Sequence, residues 1–317
     1  LHDMVRLMAA ESLFSSSPAD AAKFYGSINF DKLPAKMRPD ILYKSAWAVA
    51  QAGDRETAAK LLTTFIDGYP RDPRICEALT LRGDMYAKTK KETEALQDFD
   101  RVIARWPKEE SAAAAWQRAA QIYAGRQDLA NMAKYYEGLI KNFPKSSPAA
   151  LAEAHFLLGR AAFDQGDFQS SISHMSEAKT LDPQKYGEQV NVLTVLSYHK
   201  LQDVNKLKEA LETLQKENPA AVSRVPDVIP AWLGLQAYGM KDLETADKYM
   251  TWATQNDQLQ NVKKVIWRNL AKVRLALKKY DRALVASNNF LKVEDQPYRR
   301  ADGMLDKASI LLGLGRS

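Results

Sequence analysis

The chain has 317 residues, 46% of them hydrophobic and 26% charged, with one cysteine and a formal net charge of +6. That balance is that of a folded protein. The single cysteine excludes an internal disulfide, and no apolar run approaches the roughly 20 residues a membrane-spanning helix needs.

Taken from the N-terminus, the chain opens at Leu1, without methionine and without a basic-then-apolar leader. A first helix pair is expected around Ala10 and Ala22, with "FSSSP" (Phe14 to Pro18) as the turn between them and Pro34 closing the pair. The following pairs repeat a spacing. The first helix carries a small residue and, three later, a second packing position: Ala46/Val49, Gly83/Tyr86, Ala120/Tyr123, Gly159/Ala162, Val195/Tyr198, Gly234/Ala237 and Ala271/Arg274. Twelve residues after the small one, the second helix begins its own pattern, with a packing residue four further on: Ala58/Leu62, Ala95/Phe99, Met132/Tyr136, Ser171/Met175, Leu207/Leu211, Ala246/Met250 and Ala283/Ser287. Pro70, Pro107 and Pro144 close successive pairs at intervals of 37 residues, each behind an aromatic (Tyr69, Trp106, Phe143); Pro183 and Pro219 continue the series. The turns "AGDRE", "QGDF" and "KKYDRA" lie between the helices of a pair, and Asp54 and Asp167 are placed to cap the second helix by accepting an unpaired amide hydrogen. A last helix, with Ala308 and Leu311, is expected from Tyr298 to Leu314, and Ser317 would cap another. That helix is apolar on several sides, so the chain reads as an internal piece of a longer protein.

The physical logic is that two closely packed helices need a small residue where their backbones approach and a large one beside it. One pair cannot bury its apolar face, so pairs stack. Phe99, Trp106, Tyr123 and Tyr136 recur at helical spacing and are expected in the core. No alternating run is long enough for a strand.

These units resemble the tetratricopeptide repeat family, most closely at Gly83, Tyr86, Ala95, Phe99 and Pro107; at Trp116, Tyr123, Tyr136 and Pro144; at Gly159, Ala178 and Pro183; and at Trp267, Leu270 and Ala283. The resemblance covers essentially the whole chain. It implies an all-α, right-handed superhelical solenoid of antiparallel helix pairs over residues 1–317, eight pairs and one terminal helix. The period of 36 to 39 exceeds the family's usual 34, and the surplus implies first helices that start a few residues early. The phrases "YPRDPRICEAL", "WPKEESAAAAW" and "FPKSSPAALAEAHFLLG" look like repeats of bacterial envelope proteins. That likeness implies a periplasmic or outer-membrane-associated protein, with the cytoplasm as the alternative.

No catalytic constellation is legible. The histidines are His2, His155, His174 and His199, without further ligands at metal spacing; His155 and His174 read as helix-surface or groove residues. The 14 glycines are scattered and form no phosphate loop. Cys76 reads as a small buried residue. No cofactor and no metal are expected, and the segment is not expected to be an enzyme.

Function then falls to a surface. In the family, the first helices line the groove. The resemblance places Tyr43, Trp47, Thr80, Asp84, Gln117, Gln121, Phe156, Arg160 and Phe163 on that face, followed by Val192, Leu196, His199, Leu235, Tyr238, Arg268 and Lys272. The Lys and Asn clamp of chaperone-binding members is absent. The expected partner is a peptide or protein segment. One alternative is a nucleic-acid-binding or regulatory repeat domain. It is motivated by the last fifth of the chain, where Gln258 to Ser317 carry 13 Lys and Arg against 5 Asp and Glu, with Trp267 and Tyr298. Another is a set of repeats that recruits substrate to a larger enzyme.

Overall fold

A computed structural model describes residues 2–255 and 260–315. The chain is about 80% helical, and among the described residues there is no strand. It divides into two compact units, residues 1–158 and 159–317. The first contains α1 (His2–Leu13), α2 (Pro18–Gly26), α3 (Arg38–Gln51), α4 (Arg55–Gly68), α5 (Ile75–Lys88), α6 (Glu92–Arg105), α7 (Glu110–Gly125) and α8 (Leu129–Asn142). The boundary falls within α9 (Pro148–Asp164). The second contains α10 (Phe168–Leu181), α11 (Pro183–Lys200), α12 (Val204–Glu217), α13 (Val228–Gly239), α14 (Leu243–Ala253), α15 (Gln260–Ala276), α16 (Tyr280–Val293) and α17 (Pro297–Gly313). Short 3₁₀ turns lie at Phe30–Lys32 and Pro219–Arg224. Within each unit, consecutive helices pack pairwise: α3 on α4, α5 on α6 and α7 on α8 in the first, and α13 on α14 and α15 on α16 in the second.

The turn inside a pair is built the same way from α3 onward. One residue takes a left-handed backbone, at Gly53, Lys90, Gln127, Gly166, Gln202, Lys241 and Lys278, and the next is the N-cap of the second helix. Asp54, Asp128, Asp167, Asp203 and Asp242 each accept the amide hydrogen three residues on. Lys91 and Lys279 occupy the same place without a side-chain cap. Pro183 opens α11, so this first helix starts at the closing proline itself. The single residue between α10 and α11, Asp182, caps α11 through the Lys185 amide.

The small position works by steric fit. A Cβ built on Gly83 would lie 2.6 Å from the Phe99 ring, so the fully buried Phe99 fills the space that only glycine leaves. Ala46, Ala58, Ala120, Val195 and Ala271 are likewise buried. The bulky position after Ala271 is Arg274, buried because it donates to Asp247 Oδ1 at 2.7 Å and Thr251 Oγ1 at 2.7 Å.

Four expectations change. In the first pair the buried alanine of α2 is Ala21, not Ala22, because the "SSSP" turn sets α2 one residue out of the later register. In α17, Ala308 is exposed, while Gly303 and Ile310 are buried. The small position faces the second helix of its own pair, and among the described residues none follows α17. Trp106 is the C-cap residue of α6 and is half-buried, because the chain has already left the helix. Tyr123 is also half-buried and stacks on Tyr135 at 5.3 Å. Ser317 lies outside the described residues.

Candidate partner-binding face

Each first helix touches the next first helix, two elements on in sequence: α3 meets α5 and α5 meets α7, and in the second unit α13 meets α15 and α15 meets α17. At three junctions the same offsets are joined by a side-chain bond. The residue three before the small position bonds the residue six before the small position of the next first helix. Tyr43 Oη donates to Glu77 Oε2 at 3.0 Å. Gln117 Nε2 donates to Glu153 Oε2 at 2.8 Å. Arg268 Nη2 donates to Asp302 Oδ2 at 3.1 Å.

Of the expected face residues, Tyr43, Gln117 and Arg268 are therefore rungs between neighbouring first helices. Tyr43 also packs on Phe65 and lies under the Arg74 guanidinium at 5.0 Å; burial, then the bond to Glu77, push its hydroxyl well above the ordinary tyrosine range. Trp47 packs on Phe14 with ring centres 4.8 Å apart. Thr80 donates to the Cys76 carbonyl. Asp84 pairs with Arg118 at 3.2 Å, and burial raises its carboxyl despite that cation. Gln121 donates to both Glu153 oxygens and accepts from Arg118. Phe156 is buried at 8% exposure, so its ring belongs to packing.

In the second unit, Arg160 is exposed and Phe163 meets Phe168 edge-on at 5.4 Å. His199 meets Trp232 edge-on at 5.4 Å, and burial followed by the Lys200 charge pushes its imidazole below the ordinary range. Val192 and Leu196 pack against one apolar cluster, and Leu235 and Tyr238 against another. Arg268 also reaches Asp306 at 3.2 Å, Lys272 reaches it at 3.8 Å, and Lys264 pairs with Asp295 at 2.7 Å. Of the basic residues that motivated a nucleic-acid surface, Lys264, Arg268 and Lys272 are thus paired with carboxylates at Asp295, Asp302 and Asp306.

Sequence reasoning missed the acceptors. Asp40, Glu77, Glu153 and Asp302 all stand six residues before a small position, one turn before the residues that were singled out. That shared offset was visible in the aligned repeats. Also missed was an open cavity of about 600 Å³ between the starts of α7 and α9. Its floor is Ala113, Ala114 and Ala150 with Phe143 and Pro144, and Lys108, Lys145, Glu110, Asn142 and Gln117 stand around it. The run "SAAAAW" makes this space, because alanines on α7 leave room that larger residues fill elsewhere. Among the described residues no cluster of metal-ligating side chains is found, and no helix is long and apolar enough to cross a membrane.

Models of the tetratricopeptide repeat match residues 43–110, 114–146 and 152–185. No curated protein matches the sequence. Among solved structures, the chain is similar to the C-terminal part of a TPR repeat-containing protein from Cytophaga hutchinsonii. The identity is 13%, with 94% of this chain and 98% of that one covered and a TM-score of 0.52. A tetratricopeptide repeat protein from Parabacteroides merdae has 13% identity, 85% and 98% coverage and a TM-score of 0.46. MamA from Desulfovibrio magneticus has 18% identity, 57% and 97% coverage and a TM-score of 0.42.

Proposed function

We propose that this tetratricopeptide-repeat protein is a scaffold that holds a segment of a partner protein against the exposed face of its first helices. Repeats of this kind are generally protein-interaction modules, and the matched segments are repeats. The observation that carries the reading is the cavity beside the Gln117–Glu153 bond. There the ladder of first helices stops being filled by its own side chains and offers an alanine floor with a polar rim, the form of a site for a peptide side chain. A bacterial envelope setting is supported by the likeness of the repeat-ending phrases, and fractionation of the native cells tests it.

The scaffold reading is tested by capturing the partner from those cells with the wild-type chain and with variants that fill the face, Thr80→Arg and Ala114→Arg. Both are expected to lose the partner at an unchanged thermal midpoint, whereas Lys134→Glu, on the exposed side of α8, keeps it. Retention by both arginine variants contradicts the reading.

A further inference from the structure

We propose that the Glu153 carboxylate seats the cation of a single Lys or Arg of the bound segment, with an apolar neighbour of that residue entering the cavity floored by Ala113, Ala114 and Ala150. The inference rests on the reading of this face as the partner-binding one.

The argument starts from the four carboxylates at the shared ladder offset. Asp40 is neutralised by Arg74 at 2.8 Å and Lys44 at 3.0 Å, and Asp302 by Arg268 at 3.1 Å. Glu77, largely exposed, takes a tyrosine hydroxyl and keeps its hydration. Glu153 differs from all three. It is half-buried and accepts from Gln117 at 2.8 Å, Gln121 at 2.9 and 3.1 Å, and Tyr136 at 3.2 Å, yet among the described residues no cation forms an ion pair with it. Arg118, the cation nearest in the network, spends its charge on Asp84 and reaches only the Gln121 carbonyl. Arg160, seven residues on along α9, is exposed and forms no ion pair among the described residues.

Amide and hydroxyl donors satisfy a carboxylate's lone pairs but leave its charge uncompensated, and a partly desolvated charge without a counterion is unfavourable. A cation delivered by a partner supplies what Arg74 and Arg268 supply elsewhere in the ladder. Gln117 bonds Glu153 and also lines the cavity, and Ala150 on the floor is one helical turn before Glu153, so the charge and the apolar floor adjoin. Lys108 and Lys145 on the rim, opposed only by Glu110, disfavour a polybasic run or a second cation at the cavity. The ligand class is therefore a segment with one basic residue beside an apolar one.

The test pans a random peptide library displayed on phage against the full chain, against Glu153→Gln and against Gln117→Arg. Gln117→Arg keeps the carboxylate but supplies an internal cation on the pattern of Arg268 with Asp302, so the proposal stays testable if Glu153→Gln folds poorly. The wild type is expected to enrich peptides with one Lys or Arg next to an apolar residue, and both variants to lose that preference. A labelled peptide of the selected sequence should bind each variant about tenfold more weakly or worse. Norleucine in place of its basic residue should weaken binding to the wild type but not to Glu153→Gln, the coupling that a merely structural Glu153 would not show. Enriched peptides without a basic residue, or the same basic preference in both variants, overturn the inference and leave the scaffold reading intact. No enrichment over bare resin overturns both.

Discussion

At the scale of single residues, the turn inside each pair is the most regular device in the chain and the least economical. Lys90, Gln127, Gln202, Lys241 and Lys278 hold left-handed backbones, with φ between 57° and 64°. A residue with a Cβ gives up about 1–2 kcal/mol there relative to glycine's freedom. Gln127→Gly should therefore raise stability, by about 1 kcal/mol after its own chain entropy is counted, as read from the urea midpoint. A lower midpoint would show that the Gln127 side chain does something its exposure does not reveal. The caps at Asp54 and Asp167 were legible because Gly-Asp turns announce themselves; those at Asp128, Asp203 and Asp242 were not. The non-glycine turns were not, because lysine and glutamine carry no signal for a left-handed backbone. Trp106 was misplaced for a related reason: its spacing matched the core, but the helix ends before it. Phe99→Ala should cost about 3–5 kcal/mol and Trp106→Ala clearly less, and a larger loss at Trp106 in denaturant unfolding would contradict the burial of the two rings.

At the scale of elements, packing by small and large residues is reinforced by buried ion pairs that bind three helices at once. Arg82 on α5 donates to Asp98 on α6 at 2.7 and 2.8 Å and to Thr63 on α4 at 3.0 Å. In the second unit, Asp247 on α14 receives Arg274 from α15 at 2.7 Å, and Lys279 at the start of α16 at 3.0 Å. Burial works to raise the Asp247 carboxyl, but the hydrogen bonds from Arg274 and Lys279 outweigh it, and the net displacement is downward. A carboxyl titrating lower in the folded state contributes stability that is complete above its unfolded value, about 4. That contribution is lost as the pH falls through the lower folded value. Asp247→Asn should thus be less stable than the wild type near neutrality, with the gap narrowing as the pH falls toward about 3. A gap constant over that range in thermal melts would remove the charge from the explanation. Neither triad was legible: Arg274 sits at an offset occupied elsewhere by tyrosine, valine, alanine or leucine, and a charged residue there reads as exposed until its partners are seen.

At the scale of the whole molecule, the helix pairs and their order were legible, because each repeat restates the same steric requirement. The far-ultraviolet circular dichroism should accordingly be that of a chain about 80% helical. The face was only partly legible. Offsets from the small position singled out Tyr43, Gln117 and Gln121 in the first unit and Arg268 in the second, but spacing does not say which side chains neighbouring helices already occupy. Phe156 is consumed by packing, and Arg268 and Lys272 by Asp302 and Asp306. The alanine-floored cavity was missed because small residues give no positive sign of what they leave open. Part of the basic charge of the last fifth is likewise held by carboxylates, so binding to a random-sequence oligonucleotide should be weak and should vanish steeply as salt rises. Tight, salt-resistant binding would revive the nucleic-acid alternative.

The central claim is that a partner protein lies on the face of the first helices, and site-specific photocrosslinking in the native cells tests it most directly. A crosslinking side chain at Ala114, on the cavity floor, and another at Val192, a first-helix residue of the second unit, should each yield a discrete adduct with the same protein. One at Lys134, on the exposed side of α8, should yield none. Adducts from Lys134 with silence from Ala114 and Val192 would place recognition on the second helices and contradict the account.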